Sequence, residues 1–287
     1  MFEMILFGLI IVTLVVVLVC RFVLPDISKR EQEPWYLDFS RSFFPVLLLV
    51  FLLRGFIVEP FRIPSGSMLP TLELGDFILV NKYTYGIRLP ITHTKIIEIN
   101  EPKRGDVVVF RYPPNPTQNY IKRLIGLPGD VIEYRRKTLY VNGQKIETSR
   151  IEDYIEEGEL EVQSQFKQIL PTGNAGSERV TSSILLKQGN SFSRSGRWVV
   201  PEGHYFMMGD NRDKSADSRS RSFTFVADKN IVGKAFFVWM SWNLGSGGGF
   251  DFERIGNKIS PEKLVSASQN TLKCSPKDSA CEQSAAQ

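Results

Sequence analysis

Three short stretches carry side chains able to do covalent chemistry. The first is Pro64-Ser65-Gly66-Ser67-Met68-Leu69-Pro70. Gly66 permits unusual backbone angles and the two prolines fix theirs, so the Ser67 hydroxyl is presented on a stiff local frame as a possible nucleophile. By composition the same residues also spell an ordinary turn. A nucleophilic serine needs a base. The chain has only two histidines, His93 and His204, far apart in sequence. A Ser-His-Asp triad or a zinc site therefore has little material, and each histidine reads as a packed or solvent-facing imidazole. No metal and no cofactor are expected.

The second stretch, Tyr120-Ile121-Lys122-Arg123-Leu124-Ile125, offers an amine. Strand alternation puts Lys122 on one face with Tyr120 and Leu124, and Arg123 on the other with Ile121 and Ile125. One of the two cations must then be buried or paired. Burial can strip several pKa units from a lysine and make it a base, whereas arginine effectively stays charged. Lys122 is the better candidate on chemistry, although by alternation alone an exposed strand lysine is the commoner case. The third stretch runs from Met207 to Arg219 and contains Asp210, Ser215, Asp217 and Arg219. It reads as a solvated charged loop, or as a buttress that orients a catalytic amine.

The elements that would carry these residues begin with two apolar runs. Met4 to Cys20, continuing past Arg21 to Leu24, approaches the roughly twenty residues a helix needs to cross hydrocarbon. No Lys or Arg precedes it and no small-x-small site follows, so a retained span (residues 1–24) fits better than a cleaved signal peptide. Arg21, Lys29, Arg30 and Arg41 cluster after it, which makes residues 25–42 a cytoplasmic linker by the positive-inside rule. The N-terminus then faces outward. The second run, Phe43 to Val58, is shorter and holds Pro45 and Arg54, a composition that also suits an interfacial helix. If it spans over residues 43–60, everything after Glu59 lies outside the cytoplasm, and Ser67 emerges at the bilayer surface.

From Gly75 onward, short β-branched and aromatic runs alternate with turn signals: Gly75-Asp76, Gly105-Asp106, Pro128-Gly129-Asp130 and Asn142-Gly143. This spacing predicts a mainly β ectodomain built from hairpins over residues 61–143 and 198–259. Residues 144–197 are more polar and less periodic, with an acidic patch at Glu156-Glu157-Gly158-Glu159, and read as a smaller inserted subdomain. Gly245 to Gly249 is expected to be a flexible link. Residues 260–287 are Ser-, Lys- and Gln-rich and expected to be disordered. They include Cys274 and Cys281, which could pair in an oxidising compartment. With 287 residues the chain has ample sequence for a core. A net charge of +4, spread without a basic stripe, argues against nucleic acid as a partner.

Taken together and in order, several segments resemble the bacterial type I signal peptidases, membrane-bound proteases with a serine/lysine dyad. They are Pro64 to Leu72, Gly75-Asp76, Lys103 to Phe110, Tyr120 to Arg123, Gly126 to Asp130, Gly209 to Arg212 and Ser215 to Arg219. The resemblance implies that Ser67 attacks the scissile carbonyl while Lys122 acts as general base and then general acid. It implies that Ser65 and the Ser67 N–H hold the oxyanion, each such donor being worth about 3 kcal/mol. Ser215 would orient the Lys122 amine, with Asp217, Arg219, Arg123 and Asp210 as the ionic support behind it. The substrates implied are signal-peptide-bearing preproteins cut after small-x-small sites. The setting implied is the bacterial cytoplasmic (inner) membrane, with the catalytic domain on the outer (periplasmic) side, in contact with lipid and monomeric. After Arg219, the stretch Ser220 to Val226 departs from the pattern: it is about two residues longer and lacks a glycine, so either Arg219 or Arg221 could make the ion pair. Two other readings compete. One is a membrane-tethered β-domain that binds exported chains without cutting them. The other is a self-cleaving Ser/Lys repressor-type protease, against which the two spans count.

Overall fold

The computed structural model describes residues 2–23, 34–155, 161–172, 179–189, 194–243, 249–259 and 261–264. Helix α1 (Phe2–Phe22) and helix α2 (Trp35–Leu52), the latter extended by a π-turn over Leu53–Ile57, come first. Both are long and apolar enough to cross a membrane, as Glu3–Phe22 and Trp35–Ile57. Leu6, Ile10, Thr13 and Cys20 form a buried stripe on α1, while Leu37 and Ser40 are buried on α2. Phe7 near the start of α1 meets Phe51 near the end of α2, with ring centroids 5.8 Å apart, so the pair runs antiparallel. The second helix starts at Trp35 rather than at the expected Phe43. Hydropathy discounts Asp38 and Arg41, but neither residue interrupts a helix, and Pro45 sits inside α2 without ending it.

The rest is mainly β, as expected. An antiparallel sheet follows the path Val58–Arg62, Asp76–Asn81, Ile231–Asn243, Val107–Tyr112, Asn115–Gly126, His204–Met208 and Val226–Ala227. Gly249–Phe250 pairs with Ile231–Asn243 off that path. A second sheet joins Gly196–Val199, Val131–Arg135, Thr138–Val141 and Gln144–Lys145. One of its two tight turns uses the left-handed backbone of Asn142 (φ 52) and Gly143 (φ 80), as the Asn-Gly signal demands.

The polar stretch after residue 144 is itself sheet: Thr148–Ile155, Val162–Pro171 and Arg179–Lys187 form a meander. Its weak periodicity has a physical cause, since polar Gln163, Ser164, Gln168, Thr181 and Ser182 occupy buried positions. Glu262–Leu264 adds a fourth strand against Arg179–Lys187, so the expected disorder does not begin at residue 260. The acidic patch at 156–159, residues 245–248 of the glycine link, Lys29, Arg30, Cys274 and Cys281 lie outside the described residues.

The three aspartates that follow turn glycines are all drawn inward and paired. Asp76 meets Arg254 at 2.6 Å, Asp106 meets Lys234 at 2.5 Å, and Asp130 meets Arg104 at 3.0 Å. Buried carboxylates of this kind demand such partners. They fix the ends of the strands that frame the central sheet.

Candidate active site

Ser67 lies in a single 3-10 turn, Gly66–Met68, entered from the extended backbone of Ser65. Ile63, Met68 and Leu72 on either side are buried in one cluster with Ile78, Val80, Val107 and Val109, which nails the turn to the central sheet. The loop after His204–Met208 clamps it from outside. Asn211 donates from its backbone N–H to the Ser67 carbonyl and from Nδ2 to the Gly66 carbonyl, both at 3.2 Å.

Asn115–Gly126 is an interior strand, with Val108 opposite Lys122 and Val107 opposite Arg123. Covering both faces buries both cations, Lys122 at 4% exposure and Arg123 at 2%. Alternation had required only one. Lys122 Nζ lies 2.7 Å from Ser67 Oγ and donates to the Ile121 carbonyl at 2.9 Å. It also sits 5.6 Å from the centroid of the Tyr120 ring. Burial pushes the amine down from its ordinary 10.5 to about 8, against the opposing pull of Asp217 and Asp210.

Two ion pairs stand behind the amine. Arg123 grips Asp210 in a two-pronged contact, Nε to Oδ1 at 2.7 Å and an Nη to Oδ2 at 2.6 Å. Its remaining donors reach the Gly105 carbonyl and Thr71 Oγ1, and Thr71 itself donates to Asp210 at 2.6 Å. Arg219 holds Asp217 in the same forked way at 2.9 and 2.7 Å, and its guanidinium lies 4.8 Å over the Tyr134 ring. Burial alone would raise the Asp217 carboxyl. The Arg219 charge and hydrogen bonds from Arg219 and the Gly209 N–H hold it below the ordinary carboxylate range. Arg219 therefore makes the ion pair, and Arg221 is exposed.

Ser65 is exposed and donates to Ser67 Oγ at 3.4 Å. Ser215 departs from expectation. Its Oγ is buried without a hydrogen-bond partner, close to the Cα of Gly209, and the Lys122 amine finds its second acceptor in the Ile121 carbonyl instead. Lys122, Ser67 and Ser65 are thus brought together, whereas Ser215 makes no hydrogen bond to the amine.

The arrangement, a buried amine of lowered basicity against a hydroxyl on a fixed turn, suits acyl transfer. A family model described as signal peptidase, peptidase S26, matches residues 36–242, a span that holds all of these side chains. The chain belongs to that family. It is 48% identical over 225 residues to signal peptidase I of Pseudomonas aeruginosa, covering 75% of this chain and 76% of that protein. Against signal peptidase I of Haemophilus influenzae, identity is 37% over 277 residues, covering 81% and 78%.

For a signal peptidase chain, sequence reasoning missed three contributors to the site. Thr71 bridges Arg123 and Asp210, Asn211 clamps the Ser67 turn, and Tyr120 places its ring beside the amine. Each lies in or next to a motif already singled out; the Thr71 and Asn211 contacts span more than fifty residues and leave no local pattern to read, whereas alternation already put Tyr120 on the Lys122 face without giving it a role.

Proposed function

We propose that this chain is a membrane-bound endopeptidase that removes signal peptides from exported preproteins with Ser67 as nucleophile and Lys122 as general base. The observation that carries the reading is the 2.7 Å contact between a buried amine and the Ser67 hydroxyl. With the amine neutral, Oγ–H donates to Nζ and the oxygen attacks the scissile carbonyl. The ammonium so formed returns its proton to the departing amine, leaving an acyl ester on Ser67. Water then gives a proton to the same nitrogen and hydrolyses the ester. Ser65 Oγ, beside Ser67 Oγ, is the side-chain donor for the oxyanion, together with the Ser67 N–H. A bound chain excludes the remaining water above Lys122 and lowers its basicity further. The two forked ion pairs, Arg219 with Asp217 and Arg123 with Asp210, keep the surrounding loop and strand in register. Cleavage after small-x-small sites follows from the family resemblance.

Residues 61–143 and 198–259 are assigned as the catalytic domain, and 144–197 as an insertion. The enzyme is placed as a monomer in a bacterial cytoplasmic membrane with this domain outside. Two features support that orientation. Glu3, at the start of α1, reaches Lys82 of the β-domain at 3.2 Å, so the N-terminal end lies on the domain's side, while Arg21 closes the opposite end. Exposed Trp239, Trp242, Phe250 and Phe252 form an apolar patch suited to lipid, with Trp242 set edge-to-face against Phe250 at 4.7 Å. The test is preprotein cleavage in detergent by Ser67→Ala and Lys122→Met. Both should be inactive yet folded. Near-normal processing by Lys122→Met would end the dyad mechanism, and an intact chain that binds preprotein without cutting it would favour the tethered binding domain.

A further inference from the structure

The hairpin Ile87–Arg88 and Lys95–Ile97, with the loop that joins them, has no role in the site described above. It is held firmly. Asp228 pins both strands, through Arg88 at 2.8 Å and Lys95 at 2.9 Å. The loop is closed by Leu89 N–H to the Thr94 carbonyl and His93 N–H to the Leu89 carbonyl. On this fixed frame Leu89, Ile91, Ile96, Ile97 and Ile99 are 39%, 42%, 54%, 50% and 46% exposed. Five half-exposed aliphatic side chains within so short a segment leave both faces of the hairpin apolar, Ile96 on one and Ile97 on the other, with the Glu98 carboxylate open to solvent between Ile97 and Ile99.

The position of the hairpin says what covers it. Pro90 is buried against Gly55 in the final turn of the second candidate span; a Cβ on Gly55 would lie 2.9 Å from the Pro90 ring. That span ends at Ile57. At about 1.5 Å per residue, Gly55 lies about 3 Å before the end of the span, so Pro90 sits at the depth where the helix leaves hydrocarbon. Charge at this level fits phospholipid headgroups. A small pocket beside Gly55 and Pro90 is lined by Lys82, Arg88, His93 and Arg111; Lys82 is paired with Glu3 and Glu59 and Arg88 with Asp228, whereas Arg111 makes no ion pair with a described residue.

We infer that this hairpin is a separate membrane contact. Its aliphatic side chains rest in the outer-leaflet boundary, and its basic neighbours face the lipid phosphates, so the catalytic domain is held at the bilayer by more than its two helices. The inference rests on the membrane-spanning reading of α2, and the experiment separates the two. The full chain, with Cys20, Cys274 and Cys281 changed to Ser, is reconstituted in phosphatidylethanolamine/phosphatidylglycerol vesicles. Single nitroxide labels are placed at Ile97→Cys, at Leu49→Cys on α2 and at Glu152→Cys on the inserted sheet. The spectra are read for collision with oxygen and with a water-soluble nickel chelate. The expected result is loss of nickel accessibility at 97 to the level found at 49, with 152 fully accessible. A label at 97 as open to nickel as that at 152, while 49 stays in lipid, overturns the hairpin contact and leaves the anchor standing. A label at 97 shielded from both reagents means that protein, such as a second copy, covers the face, and also overturns it. Nickel access at 49 overturns the anchor and the hairpin contact together.

Discussion

Replacing Lys122 by Met should abolish cleavage and at the same time stabilise the folded chain at neutral pH. The amine is 4% exposed, and its pKa falls from 10.5 to about 8 mainly through desolvation. One pKa unit corresponds to about 1.4 kcal/mol, so keeping the ammonium inside the fold costs about 3 kcal/mol wherever it is protonated in both states. Below pH 8 that cost is fully present. Between 8 and 10.5 the unfolded chain holds a proton that the folded chain has released, so stability climbs with pH across this window. Met fills a similar volume without charge, but Ser67 Oγ loses a partner, at about 1 kcal/mol. The net gain is about 2 kcal/mol, or roughly 4–8 °C in Tm for a domain of this size. Thermal unfolding of both proteins in detergent, followed by near-ultraviolet circular dichroism at about pH 6.5 and at 10.5, reads the difference directly. The advantage of the variant should be present at the lower pH and gone at the higher. A variant less stable than the parent at neutral pH, or a difference that does not move with pH, would refute the desolvated amine.

Asp217→Asn leaves the Arg219 guanidinium buried without its counter-ion, which should cost about 3–5 kcal/mol in denaturant unfolding. It also removes an anion that holds the Lys122 amine up, so the acid limb of kcat/KM, near 8 in the parent, should move to lower pH; a limb moving upward would contradict that coupling. Gly209→Ala would set a methyl group 2.5 Å from the Ser67 carbonyl and into Ser215. Displacing the nucleophile by about 1 Å should lower kcat/KM on a peptide substrate about 10²-fold, and unchanged activity would show that the clamp does not fix the serine.

How far the sequence could be read depended on whether a residue's fate was local. The turn that presents Ser67 and the hairpins of the β-domain were legible because proline, glycine and Asn-Gly act on their own backbone. Lys122 and Arg123 were legible only in part. Alternation assigns faces but does not say that an interior strand is covered on both, and so buries both cations. Arg123 tolerates this because Asp210, distant in sequence, takes two of its donors. The strands after residue 144 were obscured because Gln163, Gln168 and Thr181 sit where apolar residues usually mark the buried face. The start of α2 was misplaced because hydropathy reports solvent preference, whereas Asp38 and Arg41 leave helix geometry intact. Ser215 was the residue that motif likeness placed against the amine and packing placed against Gly209.

The most direct measurement is the titration of the Lys122 amine itself. Lysine labelled with carbon-13 at Cε, followed by NMR in the Ser67→Ala background where no turnover intervenes, gives one resonance that is absent from a matching Lys122→Met sample. A midpoint near 8 is the predicted result, and a midpoint at the ordinary 10.5 would contradict a base created by burial.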